Sequence, residues 1–269
     1  KLLLQKKAEE ERLLVQKKAE EERLLEQRTL ILGNLKLFAD LDNKALRIFY
    51  KDKELTKAGG LHTSFFINQA WYDISSSDWQ VTKEKDTLLL KFFWRKFCLN
   101  QTWRISFKEN SVIWAIDSFA DKPFNPEILK FGLLLSDTYK TFFSGHQQAK
   151  FPHEYTFWQS IPLENTKATL FGLRKEKELP AIILKNKDNL TCIIENSDST
   201  SSCRSLQLGV SKDKLENKTL SISTELNLLE DDSSLEDYLK QEKQKLLLQK
   251  KAEEERLLVQ RTLILGNLK

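Results

Sequence analysis

The sequence predicts a mainly β fold, an antiparallel β-sandwich with a charged α-helix on each side. The central part of the chain divides into short stretches in which apolar and polar residues alternate, and turn-forming residues separate these stretches. Such a pattern is typical of an all-β sandwich or barrel. The two flanks instead share an 11-residue unit of Lys, Glu, Ala, Leu, Arg, Gln and Val without Gly or Pro, a composition that favours helix.

The unit Lys-Lys-Ala-Glu-Glu-Glu-Arg-Leu-Leu-Val-Gln organises both flanks. It occupies residues 6–16, recurs at 17–27 with Glu26 in place of Val15, and returns unchanged at 250–260. Eleven residues correspond to three helical turns, which is compatible with a straight or slightly right-handed supercoil. The repeat therefore predicts long, highly charged helices.

The identity extends beyond the helices, because residues 27–36 equal residues 260–269, and the step from Gln27 to Gln260 is 233 residues. We interpret the chain as one period of a tandem array. The expected units are a charged helix of 11-residue repeats (1–27), an antiparallel β-sandwich domain (28–233), a second charged helix (234–260) and the start of the next repeat copy (261–269).

The helices allow two interpretations. Residues 1–27 carry 7 basic and 7 acidic side chains with few apolar positions between them. Such a helix is either a solvated spacer or a surface for self-association, through helix pairing or through adjacent repeats. The charge balance argues against a nucleic-acid-binding tail or a membrane anchor, which would be basic. For the second helix, Ser234 followed by Asp237 predicts an N-cap at Ser234.

The predicted strands follow one another through the central domain. They are Thr29–Leu37, Phe38–Leu41, Leu46–Lys51, Leu61–Ile67, Trp79–Thr82, Thr87–Phe97, Trp103–Phe107, Val112–Ile116, Leu129–Leu135, Thr169–Leu173, Ala181–Leu184, Leu190–Glu195, Ser205–Val210 and Thr219–Leu226. A short helix or loop insertion is expected at Ser136–Gln159, where the alternation breaks. Residues expected mainly in the core are Leu88, Leu90, Phe92, Trp94, Trp103, Ile105, Ile113, Trp114 and Ile116.

One sequence is expected to adopt two conformations. Thr29–Leu35 needs a partner strand, because unpaired backbone groups are costly, so we predict that it is paired within the sandwich. The identical run Thr262–Leu268 can fray, extend the helix or pair with the edge of another copy.

Charge, apolar runs and cysteines exclude several classes of protein. The net charge of +4 is too small to imply a polyanionic partner. No run approaches the roughly 18 apolar residues of a membrane span, so we expect neither nucleic-acid binding nor membrane insertion. The three cysteines show no metal-binding spacing, and we expect no cofactor. Cys192 and Cys203 form a disulfide if their strands place them opposite each other, and otherwise are small half-buried strand residues.

Two runs of residues resemble a known family. Residues 32–56, from Leu-Gly-Asn-Leu-Lys-Leu-Phe to Lys-Glu-Leu-Thr, resemble the first hairpin of the β-supersandwich domains of galactose-mutarotase-like proteins. Residues 179–207, with Leu-Pro-Ala-Ile-Ile-Leu and Ile-Glu-Asn-Ser-Asp, are similar to their closing strands. The resemblance implies this fold, also used by accessory domains of some glycoside hydrolases, and contact with carbohydrate. It does not place the mutarotase's catalytic His and Glu, since His62, His146 and His153 lie in no matching context.

The densest group of aromatic and polar residues lies between two predicted strands. Sugar recognition needs aromatic faces for the pyranose ring and carboxylates or amides for its hydroxyls. The candidate carbohydrate-binding residues are Trp71, Tyr72, Asp73, Asp78 and Trp79. The competing interpretation is that the aromatic residues fill the core. The two aspartates are either an acid/base pair for glycoside hydrolysis or turn and cap residues.

These observations lead to three hypotheses about function. The repeated termini favour a non-enzymatic repeat unit of a fibrous or surface structural protein, with sandwich domains joined by helical spacers and a cell-surface or extracellular location. The resemblance and the aromatic group favour a carbohydrate-binding module that contacts a glycan. The third hypothesis is a sugar epimerase or glycoside hydrolase domain, which needs convergent carboxylates in a pocket.

Overall fold

The computed structural model describes residues 2–108, 111–122, 124–152, 158–197, 202–211 and 219–266. Its strands are β1 Thr29–Leu32, β2 Leu35–Asp40, β3 Ala45–Tyr50, β4 Lys53–Glu54, β5 Thr56–Ile67, β6 Ala70–Asp73, β7 Asp78–Glu84, β8 Thr87–Trp94, β9 Leu99–Lys108, β10 Ser111–Ala120, β11 Ile128–Ser136, β12 Thr141–Ser144, β13 Gln147–Lys150, β14 Gln159–Ser160, β15 Leu170–Leu173, β16 Ala181–Lys185, β17 Thr191–Ser197, β18 Cys203–Val210 and β19 Thr219–Leu229. The helices are α1 Leu2–Gln27, α2 Asp232–Gly266 and two short 3-10 helices, Ile74–Ser76 and Arg95–Phe97.

Two large sheets form the sandwich that the sequence predicts. Sheet 1 has the order β1-β2-β3-β5-β11-β18-β17-β14, with β4 beside β3 and β6 beside β5. Sheet 2 has the order β13-β12-β15-β16-β19-β10-β9-β8-β7. Neighbouring strands are antiparallel, apart from a single parallel bridge between Leu46 and Gly60. The prediction of an antiparallel β-sandwich flanked by charged helices is therefore confirmed.

The core between the sheets is rich in aromatic side chains. The Trp103 and Trp114 rings are 4.8 Å apart, and Trp114 reaches across to Phe131 of the opposite sheet at 6.3 Å. Eight of the nine predicted core residues are buried: Leu88, Leu90, Phe92, Trp94, Trp103, Ile105, Trp114 and Ile116. Ile113 is the exception. Its neighbours Val112 and Trp114 face the core, so the alternation of a strand turns Ile113 to the other side.

The first predicted strand is in fact a hairpin. Gly33 has a φ of +55° and breaks the run between β1 and β2, and Thr29 then pairs with Phe38. The prediction that this segment is a paired strand is confirmed, although a turn divides it.

The segment 136–159, expected as a helix or loop insertion, contains a second hairpin. β12 pairs with β13 around Gly145, and Phe143 of β12 also lies opposite Gly172 of β15. Phe142, Phe143 and Ser144 are buried, so apolar burial holds the segment as a strand at the end of sheet 2. Residues 153–157, which include His153, lie outside the described part of the chain.

Helix α2 starts earlier and continues further than predicted. The cap is Asp231 and not Ser234, because the Asp231 Oδ1 atom accepts from the Ser234 backbone N–H at 2.7 Å and from the Ser233 hydroxyl at 3.0 Å. The helix continues to Gly266. The second copy of Arg-Thr-Leu-Ile-Leu-Gly therefore extends the helix, whereas the first copy forms β1.

The first turns of α2 pack on the outer face of sheet 2. Leu235 is fully buried there in a small apolar cluster with Phe143, Leu170, Ala181 and Ile183. An ion pair farther along, between Lys185 of β16 and Glu242 at 2.7 Å, adds a polar contact. The described leucines of α2 from Leu247 onward are exposed, as are Leu13, Leu14 and Leu25 of α1. No described helix is long and apolar enough to span a bilayer.

The disulfide that the sequence allowed is not formed, and the three cysteines are free. Cys192 lies opposite Leu208, while Cys203 lies opposite Ser197, so the two residues occupy opposite ends of the β17–β18 hairpin. Burial raises the pKa of each thiol to about 11. Both are therefore protonated packing residues in strands, and both are buried more deeply than the half-buried positions of the alternative interpretation.

Gly60 joins the two parts of sheet 1 at the parallel bridge. A Cβ atom there would lie 1.9 Å from the backbone oxygen of Leu46, and the Gly60 φ is +70°. We expect Gly60→Ala to lower the free energy of unfolding by roughly 3 kcal/mol, because it adds left-handed strain to a backbone clash.

The neighbouring Gly59 is the matched control, since a Cβ atom there meets nothing within 4 Å. Gly59→Ala should change stability by about 0.5 kcal/mol or less. Urea denaturation of both variants tests the prediction, and equal stabilities would contradict it.

Candidate functional site

A set of polar side chains lies on the face of sheet 1 that points away from the core. Along β5, β11, β17 and β18, successive side chains point to opposite faces of the sheet. Leu61, Leu133 and Leu206 face the core, so the residues next to them in sequence face outward. We call the outward set the polar platform: His62, Lys130, Glu195, Ser205 and Gln207.

Strand register brings these residues together from distant parts of the chain. His62 of β5 lies opposite Gly132 of β11, which lies opposite Gln207 of β18. Ser205, two residues away from Gln207, lies opposite Glu195 of β17. A side chain at position 132 would collide with the β18 backbone, because a Cβ atom there would be 2.0 Å from the Leu206 oxygen. Only glycine therefore fits at position 132, which lies in register between His62 and Gln207.

An ion pair crosses the platform. The Lys130 Nζ atom of β11 lies 3.1 Å from the Glu195 Oε1 atom of β17, although β18 separates the two strands. Lys130 lies opposite Gly209 of β18 in the strand register. The same Glu195 oxygen accepts from the Ser160 hydroxyl at 2.9 Å. Both charged side chains are largely buried, with exposed fractions of 15% and 6%.

Two polar atoms of the platform are unsatisfied. Within the described residues, the second carboxylate oxygen of Glu195, Oε2, and the side-chain oxygen of Gln207 are buried without a hydrogen-bond partner. The Gln207 amide nitrogen donates to Ser205 Oγ at 2.6 Å, which fixes its oxygen as the free end. Buried polar groups are nearly always hydrogen-bonded, so these two acceptors are suited to donors from a ligand.

His62 is neutral in this environment. Burial lowers the pKa of His62 below its ordinary value, and the negative charges of Asp73 and Glu195 oppose that effect. Its Nδ1 atom lies 3.4 Å from the Gly60 backbone oxygen, which can only accept. Nδ1 therefore carries the proton, and the other ring nitrogen, Nε2, is an acceptor.

Exposed tryptophans lie on both sides of the platform. Trp71 is on β6 at one edge and is 52% exposed, and the Lys130 ammonium lies 5.5 Å from its ring centre. Trp158 is 39% exposed and immediately precedes β14 at the other edge. The platform thus combines buried hydrogen-bonding groups with aromatic surface at its sides.

The five residues singled out in the sequence do not form one site. Trp71 and Asp73 belong to β6 in sheet 1, where Asp73 lies opposite Ser64. The Asp73 Oδ1 atom accepts from the Ser75 backbone N–H at 2.8 Å and so caps the 3-10 helix. Tyr72 turns inward and stacks on Phe65 at 5.5 Å.

The remaining two candidates lie on β7 of the other sheet. Trp79 packs against Phe92 at 4.8 Å, and its ring nitrogen donates to the Ile74 oxygen at 2.6 Å. Asp78 forms an ion pair with Arg95 at 2.7 Å. Asp73 and Asp78 therefore serve separate sheets and separate partners. The structure places only Trp71 and Asp73 of the five beside the platform.

Sequence reasoning missed the central residues of the platform. Lys130 is the one charged residue in the apolar β11 run Ile-Leu-Lys-Phe-Gly-Leu-Leu-Leu-Ser, and Glu195 is the one in Thr-Cys-Ile-Ile-Glu-Asn-Ser of β17. A single charged residue within an otherwise mostly apolar strand was the sequence signal that could have identified Lys130 and Glu195. Their contact, by contrast, depends on register between distant strands.

Comparison with solved structures shows that the fold is shared with sugar-active proteins. The chain is similar to an alpha-N-acetylgalactosaminidase from Bifidobacterium bifidum, with 8% identity, a TM-score of 0.55, and coverage of 75% of this chain and 36% of that one. It is similar to an alpha-mannosidase from Enterococcus faecalis V583, with 7% identity, a TM-score of 0.53, and coverage of 81% and 31%. A galactose mutarotase-like protein from Lactobacillus casei gives 10% identity, a TM-score of 0.47, and coverage of 75% and 99%.

At these identities the likeness is one of fold, and the predicted galactose-mutarotase-like fold is confirmed. The chain spans about a third of the two glycosidases, so their activities are not carried over to it. No protein-family model matches the sequence. No curated protein matches it either.

The comparisons overturn two expectations about function. The interpretation as a non-enzymatic repeat unit of a fibrous or surface structural protein is wrong, because the fold is shared with an alpha-N-acetylgalactosaminidase and an alpha-mannosidase. The expectation that the chain is not an enzyme is wrong for the same reason, since two of those matches are glycosidases. The epimerase or hydrolase hypothesis agrees best with these findings.

The lowered pKa of His62 predicts a pH dependence of stability. A histidine with a lower pKa in the folded state binds its proton better when unfolded. The stability that neutral His62 contributes is therefore complete above its unfolded pKa of about 6.5 and is lost as the pH falls through the lower folded pKa. Replacing it with Gln, which does not titrate, should make the loss of stability on acidification shallower.

Urea denaturation from about pH 7.5 to about pH 5 measures this difference. His146→Gln is the control, because His146 is exposed, and it should follow the wild-type profile. Parallel profiles for the wild type and His62→Gln would contradict the prediction.

Proposed function

We propose that this chain is a sugar-active domain that binds a monosaccharide on the polar platform and transfers protons at the anomeric centre, as an aldose epimerase does. The observation that carries the proposal is the unsatisfied Oε2 atom of the buried Glu195 carboxylate. A carboxylate oxygen in such surroundings is a strong acceptor for a sugar hydroxyl. The shared fold supports the same class of ligand.

The platform contains both a proton acceptor and a proton donor within one site. Glu195 presents a free acceptor oxygen, and the Lys130 ammonium, in contact with the other oxygen of the same carboxylate, is a donor. Neutral His62 and the Gln207 side-chain oxygen are further acceptors that can hold neighbouring hydroxyls in place. Such convergence on one face is what the binding of a polyhydroxylated ligand requires.

The reaction balances without another reactant. Glu195 accepts the proton of the anomeric hydroxyl while the bond between the anomeric carbon and the ring oxygen breaks, and Lys130 protonates the ring oxygen as it leaves. The open-chain aldehyde then rotates, and the ring closes on the opposite face. Glu195 returns its proton to the new anomeric oxygen, and Lys130 recovers its own from the attacking hydroxyl. The net change is inversion at one carbon.

Replacing Glu195 tests the proposal. Glu195→Gln preserves shape and hydrogen bonding but removes the base, so we expect the anomerisation rate to fall by about 10²–10⁴-fold. Polarimetry of freshly dissolved α-glucose and α-galactose measures that rate above the spontaneous background. Isothermal titration calorimetry should show that the variant still binds the sugar.

Glu84→Gln on the exposed end of β7 is the control and should retain wild-type activity. Binding without accelerated anomerisation by the wild type would assign the platform to a carbohydrate-binding module. Absence of both binding and acceleration would reject the proposal.

We also infer that the charged helices mediate self-association. Leu13 and Leu14 of α1 are 60% and 71% exposed, and the same unit recurs in α2. Adjacent exposed leucines in two helices can bury each other when two copies meet. This inference concerns assembly alone and leaves the sugar site unchanged.

Replacing the two exposed leucines tests this inference. We expect the double variant Leu13→Gln/Leu14→Gln to be monomeric at concentrations where the wild type associates, because it removes the apolar contact. Light scattering coupled to size-exclusion chromatography measures the mass. Ile31→Gln, at an exposed position of β1, is the control, and a monomeric wild type would refute the inference.

A further inference from the structure

A second candidate binding surface lies on the outer face of sheet 2, on the opposite side of the sandwich from the polar platform. Cross-strand register aligns one residue from each of four neighbouring strands, β7 to β10, into a single row. We call this the aromatic row: Asp78, Phe93, Asn100 and Phe119. It lies near the end of the sheet where β8 turns into β9.

The two phenylalanines of the row are exposed to solvent. Phe93 is 36% exposed and Phe119 is 45% exposed. Among the described residues neither ring contacts another aromatic ring, whereas the core-facing Phe92 contacts three. Asn100 lies between them on β9, so the two rings are separated by two strand spacings, about 9.6 Å.

Hydrogen-bonding groups surround the aromatic row. A cavity of about 410 Å³ adjoins it, and the outward residues of the next row, Gln80, Lys91 and Thr102, line that cavity together with Asn100. Asp78 and Arg95, which form an ion pair at 2.7 Å, close one end. Amide, hydroxyl and ammonium groups thus lie beside an apolar surface.

We propose that this face binds a linear oligosaccharide of equatorially linked pyranose units. Each phenyl ring covers the apolar C–H face of one sugar, and the amides of Asn100 and Gln80 hydrogen-bond to equatorial hydroxyls at the ring edge. In an extended chain of this kind, alternate sugars present the same face. The distance between them is close to the two strand spacings that separate Phe93 from Phe119.

The composition of the face argues against other occupants. Two isolated phenyl rings are too small an apolar area for a stable protein interface. The cations near the row are largely matched by carboxylates, since Arg95 pairs with Asp78 and Arg104 pairs with Asp117. This balance does not suit a nucleic acid, which needs an excess of basic side chains. A neutral ligand with apolar faces and polar edges fits best.

This site is independent of the polar platform, which lies on the other sheet. The experiment measures the binding of cellohexaose, an extended oligosaccharide, to the full chain by isothermal titration calorimetry. Maltohexaose, which has the same number of sugars but a curved chain, serves as the comparison. We expect saturable binding of cellohexaose that Phe93→Ala/Phe119→Ala weakens by about tenfold or more. Ile31→Ala on sheet 1 is the exposed apolar control and should bind as the wild type does.

Each further outcome decides the proposal. The double variant Lys130→Ala/Glu195→Ala, which removes both charges of the platform, should retain cellohexaose binding, and loss of binding in that variant would place the oligosaccharide on the platform and overturn the second site. Equal affinity for maltohexaose would overturn the preference for extended chains. If cellohexaose does not bind, or if the double variant instead abolishes self-association, the face is not an oligosaccharide site. Circular dichroism verifies that the variants remain folded.

Discussion

The ion pair between Lys130 and Glu195 is the contact on which the candidate sugar site depends. It joins β11 to β17 across β18, the strand that lies between them. A buried ion pair contributes little to stability when its two desolvated charges are imperfectly satisfied. Glu195 retains one unpartnered oxygen. The arrangement is therefore better explained by the binding of a polar ligand than by stability.

The sandwich gives its two outer faces different chemistry. On sheet 1, the outer face carries buried polar groups, two of whose oxygens have no partner among the described residues, and this is the face on which we propose that a small hydroxylated molecule binds. On sheet 2, α2 covers one end through Leu235, while the aromatic row occupies the other. The core between the sheets is closely packed with aromatic rings. The groups on both faces lie mainly on strands, and sites built on strands position binding groups more precisely than sites on loops do.

The candidate site shows where prediction from sequence reaches its limit. The alternation of apolar and polar residues correctly predicted that Trp103 and Ile105 lie in the core. This works because every second side chain of a strand points to the same face of the sheet. The aromatic and acidic residues of β6 and β7 looked like one site, yet the two strands belong to different sheets. Residues that are close in sequence are separated because the chain passes from sheet 1 to sheet 2 between β6 and β7. His62 and Glu195, far apart in sequence, were brought onto one face by the β5-β11-β18-β17 register.

The sequence by itself determined the class of fold, the charged character of the helices and most of the core, since these follow from periodicity and composition. The tertiary structure decided the rest. The run Arg-Thr-Leu-Ile-Leu-Gly forms β1 in its first copy and the last turns of α2 in its second. Local propensity is the same in both copies. Both copies directly follow a charged helix. The first pairs with β2, whereas no described strand pairs with the second, which continues its helix. Backbone hydrogen bonds must be satisfied in either case, and the available partner determines which structure forms.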